Sequence, residues 1–199
     1  VFDFVTYGIR MILDALELVF VKTPWIVIAS LIVLLTWLTA GIRTAIWSTS
    51  FLAYMGLLGF WEKAMTTLAL LGTAACLSIL IGIPLGMFCA RRPRFYSFIQ
   101  PIMDFMQTMP AFVFMIPVIA FFGTGKPAAV VTTMIFGGTP VVRLTVLGLR
   151  GVPDSVREAA ISFGANKWYL LTRVDLPLAS PSIRAGINQT IMLSLAMVV

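Results

Sequence analysis

The sequence predicts an all-α protein that passes through a membrane several times, and three observations predict it. Of its 199 residues, 60% are hydrophobic and 11% are charged, whereas a soluble domain carries roughly 25% charge. Uncharged runs occupy residues 23–42, 44–61, 64–90, 105–125, 127–149 (broken only by Arg143) and 185–199. Most of them match the ~20 apolar helical residues that cross a bilayer. The breaks between the runs also alternate in basic content. One set holds Arg43, then Arg91, Arg92 and Arg94, then Arg143 through Arg184; the other holds Arg10, Lys22, Lys63 and Lys126.

Basic residues collect on the cytoplasmic side of a membrane, so the richer set marks that side and the amino terminus lies outside. The net charge of +6 follows from this topology and requires no nucleic acid. Trp25, Trp37, Trp47 and Trp61 stand near run ends, where indole rings favour the interface. Residues 1–22 mix apolar positions with Arg10, Asp14 and Glu17, which reads either as an outer-face amphipathic helix or as a tail. Residues 23–199 form the transmembrane domain. Its last run, 185–199, rises only about 22 Å as a helix, short of the ~30 Å core. It reads as a span cut midway, and a chain that opens on valine is expected to lack both ends.

Residues 150–184 form a polar loop between two runs. Pro153 halts the preceding helix, and Ser155 with Glu158 has the spacing of a capping box. Val156, Ala159, Ala160 and Phe163 then share one helical face. Gly164 is placed to end that helix, Asn166 to cap a second through Trp168, Leu170 and Leu171, and Pro177 and Pro181 to end it. Ala159 and Ala160 leave room for another surface to approach the backbone. The resulting helix–glycine–helix knob either enters a groove on a partner or packs on the underside of its own membrane domain. A DNA-binding helix-turn-helix fits poorly, since membrane runs flank the loop and its basic residues do not cluster on the second helix.

Glu158-Ala159-Ala160, then Gly164, then Val174-Asp175-Leu176-Pro177 resemble the EAA signature of ABC importer permeases. That pattern is E-A-A, three residues, G, nine residues, I-x-L-P, and only Val174 departs from it. The stretches "ILIGIPLG", "PIMDFMQTMPAFVFMIPVIAFFGTGK", "TPVVRLTVLGLRGVP" and "AGINQTIMLSLAMVV" are similar to the glycine betaine/proline branch, over residues 61–199. The resemblance implies the permease fold of a type I ABC importer with a cytoplasmic coupling-helix loop. Such a subunit works as a homodimer in the bacterial inner membrane. It pairs with cytoplasmic ABC ATPases, which hold the ATP and Mg, and with an extracytoplasmic substrate-binding protein. The chain itself is expected to bind lipid and no cofactor. Glu158, Ala159, Ala160, Phe163, Gly164, Leu176 and Pro177 are then the ATPase-coupling residues.

Within the membrane runs, "DFMQTMPAFVF" groups Asp104, Gln107, Thr108 and Pro110. Pro110 is expected to kink its helix, and broken helices are tolerated in a bilayer where they are buried or line a wet cavity. Gln107 and Thr108 therefore either line a translocation path or join helices by hydrogen bonds. Phe112 and Phe114 either present ring faces to a cationic amine or pack. Asn188 and Gln189 form a second polar pair, and the sequon with Thr190 is discarded because an intramembrane asparagine is out of reach. Gly82, Gly86, Gly137 and Gly138 read as sites of close helix approach.

Other chemistries find little material. The chain contains no histidine, which removes the Ser-His-Asp, Cys-His and HExxH arrangements. Cys76 and Cys89 would lie about 20 Å apart along one helix, too far for a disulfide. "GTGKP" lacks the first glycine and the Ser/Thr of a phosphate loop. An ion-coupled secondary transporter of small osmolytes is the alternative, but such proteins place ionisable groups centrally in the membrane, and Asp104 sits at a run's edge.

Overall fold

The computed structural model describes the backbone of residues 2–198 and the side chains of residues 6–110 and 113–198. Every element among them is helical. The helices divide into two compact units, residues 1–73 and 74–199, with the border inside one long helix.

In the first unit α1 (Phe2–Phe20) is amphipathic. Ile9 and Leu13 are buried and Leu16 partly so, at i, i+4 and i+7, while Arg10 and Asp14 are exposed. Leu16 packs beside Gly72 of α4 (Trp61–Arg91). A 90° bend leads from α1 to α2 (Trp25–Ala40). Gly41, at φ 84°, ends α2 in a conformation open to glycine, and α3 (Ile42–Leu57) folds back along it. Trp25 then meets Trp61 edge to face at 6.3 Å.

The uncharged runs do not each become a straight span. α2 and α3 have 16 residues each, about 24 Å of helix against a core of ~30 Å. Among the described residues, two helical stretches are long and apolar enough to cross a membrane: α4, and Lys126–Arg150. The number reaches four if each of two bent pairs counts as one span.

The second unit is built around that second stretch. α7 (Lys126–Gly137) and α8 (Thr139–Arg150) join through Gly138, whose φ of −77° and ψ of −17° keep the helical direction. Val141, Val142, Thr145, Val146 and Leu149 of α8 are all buried. Such burial on several sides requires small residues on the neighbours. A Cβ on Gly82 of α4 would lie 2.4 Å from Val141, and one on Gly86 2.6 Å from Thr145. One on Gly137 would lie 2.4 Å from the Ser194 hydroxyl of α11 (Leu176–Val198). The expected close approaches are therefore real. Gly148 and Gly186 do the same between α8 and α11, and nothing in their local sequence marked them.

Three local expectations are corrected. Run 105–125 breaks at Pro110 as expected, but far more sharply than a kink: α5 (Pro93–Thr108) and α6 (Ala111–Phe122) diverge by 105°. Pro110 lacks an N–H and forces Met109 into an extended conformation, φ −83° and ψ 142°. The capping box does not form either. α9 (Asp154–Ser162) starts one residue before Ser155, with Pro153 at its N-cap and no side-chain cap bond. Lastly, Pro177 and Pro181 end nothing, since both lie inside the first turns of α11. Run 185–199 is accordingly the continuation of a helix that begins at Leu176. Ahead of it, residues 170–175 form a π-turn in which the Leu176 N–H reaches the Leu171 carbonyl. That wider turn relieves the clash between the Pro177 ring and the carbonyl four residues earlier.

Candidate functional site

The polar loop folds into the helix–glycine–helix knob that its sequence predicts. α9 ends in a Schellman motif: the Gly164 N–H donates to the Ile161 carbonyl at 2.8 Å and the Ala165 N–H to the Ala160 carbonyl at 3.0 Å. Gly164 takes φ 85°, the left-handed conformation this motif requires. The Asn166 side chain then caps α10 (Lys167–Tyr169), accepting from the Tyr169 N–H at 2.7 Å.

Neither α9 nor α10 buries a residue. Glu158 and Ala159 are exposed, Ala160 is partly so, and Phe163 is 93% exposed. Ala160, Phe163, Gly164 and Tyr169 border an open depression of about 480 Å³. Leu176 is half-buried and Pro177 exposed, at the start of α11. α9 and α10 thus leave their apolar surface uncovered, whereas Leu176 packs on the chain's own core beside Leu149 and Ala179.

What holds the knob is Arg157, which sequence reasoning passed over. Its Nε donates to the Asp175 carboxylate at 2.9 Å, its Nη1 to Asp154 at 3.1 Å and its Nη2 to the Leu149 carbonyl at 2.6 Å. One guanidinium therefore joins α8, α9 and the π-turn. The hydrogen bond to Asp175 raises the Arg157 pKa above its ordinary value, so the cation is secure. Arg150, nearby, donates to the Cys89 carbonyl at 3.2 Å and stacks 4.6 Å from the Tyr96 ring. Cys89 is buried and Cys76 exposed; both are free thiols on α4.

The other expected site lies at the break between α5 and α6. Gln107, Thr108 and Pro110 are exposed, and Phe114 is partly buried. The Phe112 side chain lies outside the described residues. The Thr108 hydroxyl donates back to the Phe105 carbonyl at 2.9 Å. Asn188 and Gln189 are exposed on α11; among the described residues no hydrogen bond joins them to the α5 pair. A further feature was not foreseen: Arg143 of α8 donates from Nη2 to the Asp104 carboxylate of α5, forming an ion pair. A signal for it existed, because two membrane runs each carried or bordered one isolated charge, of opposite sign.

Membrane-length helices, a broken polar helix and a knob held at their end define a helical integral membrane protein built to engage other components. Residues 82–199 match the family described as binding-protein-dependent transport system inner membrane component. The chain belongs to that family and is thus an inner-membrane transport component. It is 42% identical over its whole length to the glycine betaine/proline betaine transport system permease protein ProW of Escherichia coli (strain K12), of which it covers 56%. It is 46% identical over 85% of its length to ProW of Salmonella typhimurium, covering 48% of that protein. With the glycine betaine/carnitine transport permease protein GbuB of Listeria monocytogenes it shares 41% identity over its whole length and 72% of that relative. The chain spans about half the length of the two ProW proteins.

Proposed function

We propose that this chain is the membrane part of an ATP-driven importer for glycine betaine, a related quaternary amine or proline. The observation that carries the reading is the uncovered knob, whose α9 bears Glu158-Ala159-Ala160 and buries none of its residues. Such a surface calls for a partner, and the motif's resemblance names a cytoplasmic ATPase. ATP and Mg belong to that subunit. The substrate reaches the membrane on an extracytoplasmic binding protein, and two copies of this chain enclose the path. Glu158, Ala159, Ala160, Phe163, Gly164, Leu176 and Pro177 serve docking and coupling. Gln107, Thr108, Pro110, Phe112, Phe114, Asn188 and Gln189 belong to the path. The names of the relatives support the substrate class.

The test is uptake of labelled glycine betaine into proteoliposomes holding the full-length protein with its ATPase and binding protein. Uptake should require internal ATP and persist when ionophores collapse every ion gradient. Uptake that follows a sodium or proton gradient without ATP would establish the secondary-transporter alternative instead.

A further inference from the structure

The Asp104–Arg143 pair is placed where an ion pair is expensive. At ~1.5 Å per residue, Asp104 lies about 16 Å along α5 from Pro93, and Arg143 about 10 Å along α8 from Arg150. Arg91, Arg92, Arg94 and Arg150 mark that end of the helices, so the pair falls inside a hydrocarbon layer ~30 Å thick. Ionised groups at such a depth serve either helix packing or a polar species that passes them.

Three features distinguish these roles. The pair is not sealed: the Asp104 side chain is 49% exposed and that of Arg143 32% exposed. The guanidinium is not saturated, since Arg143 Nε is buried without a hydrogen-bond partner among the described residues. Asp104 also shares one exposed face of α5 with Gln107 and Thr108, at i, i+3 and i+4, and that face ends at the break before α6. A pair meant only to join α5 to α8 gains nothing from a polar stripe leading to it.

We propose that Asp104 and Arg143 form the charge-reading element of the translocation path, opening to admit a zwitterion. This rests on the importer reading above and supplies that path's substrate chemistry. The Arg143 guanidinium takes the substrate carboxylate, for which its planar fork is suited. The Asp104 carboxylate faces the quaternary ammonium, which has no N–H to donate and is attracted through its charge. One ion pair then becomes two, and no charge is left unpaired in the membrane. A cation without a carboxylate, such as choline, leaves Arg143 without a counterion, and a buried unpaired charge is heavily penalised.

The experiment uses the full-length protein with its ATPase in proteoliposomes, with Cys76 and Cys89 changed to alanine and Thr108→Cys as reporter. Saturating glycine betaine should slow alkylation of that thiol about tenfold, and choline at equal concentration much less, because a site built for a polar group rejects the analogue lacking it. Arg143→Gln should abolish the difference and Arg143→Lys should keep part of it. In the exchanged variant Asp104→Arg/Arg143→Asp, thermal stability should return while protection stays lost, because the cation now sits beside Gln107. Equal protection by both compounds, or protection unchanged in Arg143→Gln, overturns the proposal, as does an exchanged variant that regains normal protection. If the protein with its native Thr108, given both its ATPase and its binding protein, shows no ATP-driven uptake, the importer reading itself fails. Uptake without charge-dependent protection rejects only the role of the pair.

Discussion

Arg157 and Asp175 stand eighteen positions apart in sequence, yet the guanidinium Nε and the carboxylate Oδ1 meet at 2.9 Å with both side chains largely shielded from solvent. Asp175 is the last residue of the π-turn that feeds α11, and the same guanidinium holds the Leu149 carbonyl of α8. α9, which buries no residue of its own, is therefore oriented by one side chain that reaches α8 and the turn leading into α11.

This relationship predicts the behaviour of Arg157→Gln and Asp175→Asn. A hydrogen bond to a charged group contributes about 1.5–3 kcal/mol, so the loss should free the knob without unfolding the spans. Backbone amides of α9 should exchange with deuterium about tenfold faster or more, while thermal unfolding in detergent shifts little. ATP-driven uptake should fall in both variants, and Arg157→Lys should recover part of it. Unchanged exchange in α9 would remove Arg157 from this role.

Gly164 offers a test of the knob's shape that packing does not confuse. A Cβ there would meet nothing within 4 Å, while the backbone sits at φ 85°. The cost of a side chain is thus conformational, about 1–2 kcal/mol for an L-residue in the left-handed region. Gly164→Val should turn α10 away and uncouple ATP hydrolysis from uptake, and Gly164→Asn should be milder because asparagine tolerates that region. Glu158 forms no cap, so Glu158→Gln should leave α9 helicity intact, and any lost uptake then reports docking. Full coupling in Gly164→Val would show that the bend carries no signal.

The legible parts of the fold were those written in contiguous residues. Gly164 after an apolar helical face, Asn166 before Trp168, and glycines 82 and 86 one turn apart each declared a local geometry that the structure has. Pro110 declared an interruption but not its size, because a kink and a 105° break follow from the same missing N–H. Pro177 and Pro181 misled for a related reason: a proline that looks like a stop is tolerated where the helix widens, as it does in the π-turn ahead of Pro177, and Pro181 sits inside α11. The ion pairs were illegible in another sense. Arg157 with Asp175, and Arg143 with Asp104, depend on helices meeting in space, and sequence spacing does not state which helices those are.

Orientation is open to a direct check. The alternation of basic residues places Thr124 outside and Lys167 inside. With Cys76 and Cys89 changed to alanine, Thr124→Cys should react with a membrane-impermeant maleimide added to intact cells. Lys167→Cys should react only after permeabilisation. The opposite pattern would put the knob on the outer face, where no ATPase could meet it.

The seam between α8 and α11 gives a prediction in which two effects compete. Replacing glycine by alanine inside a helix gains up to about 1 kcal/mol of propensity, and overpacking a filled contact costs about 1–3 kcal/mol. At Gly8 of α1 nothing lies within 4 Å of the new Cβ, so the propensity gain stands and Gly8→Ala should stabilise slightly. At Gly148 the Cβ would lie 2.8 Å from the Ser182 Cβ and 3.0 Å from the Ala179 carbonyl oxygen. The carbonyl is backbone and has no rotamer to change, so the two helices must part. Membrane helices associate through such close packing rather than through expulsion of water, and the loss should exceed the gain. Gly186, with its nearest contacts at 3.1 Å, should fall between the two. Thermal unfolding of the full-length protein in detergent should therefore rank the variants with Gly8→Ala highest, Gly186→Ala next and Gly148→Ala lowest. If Gly148→Ala melts no lower than the parent protein, the α8–α11 seam is looser than these distances state.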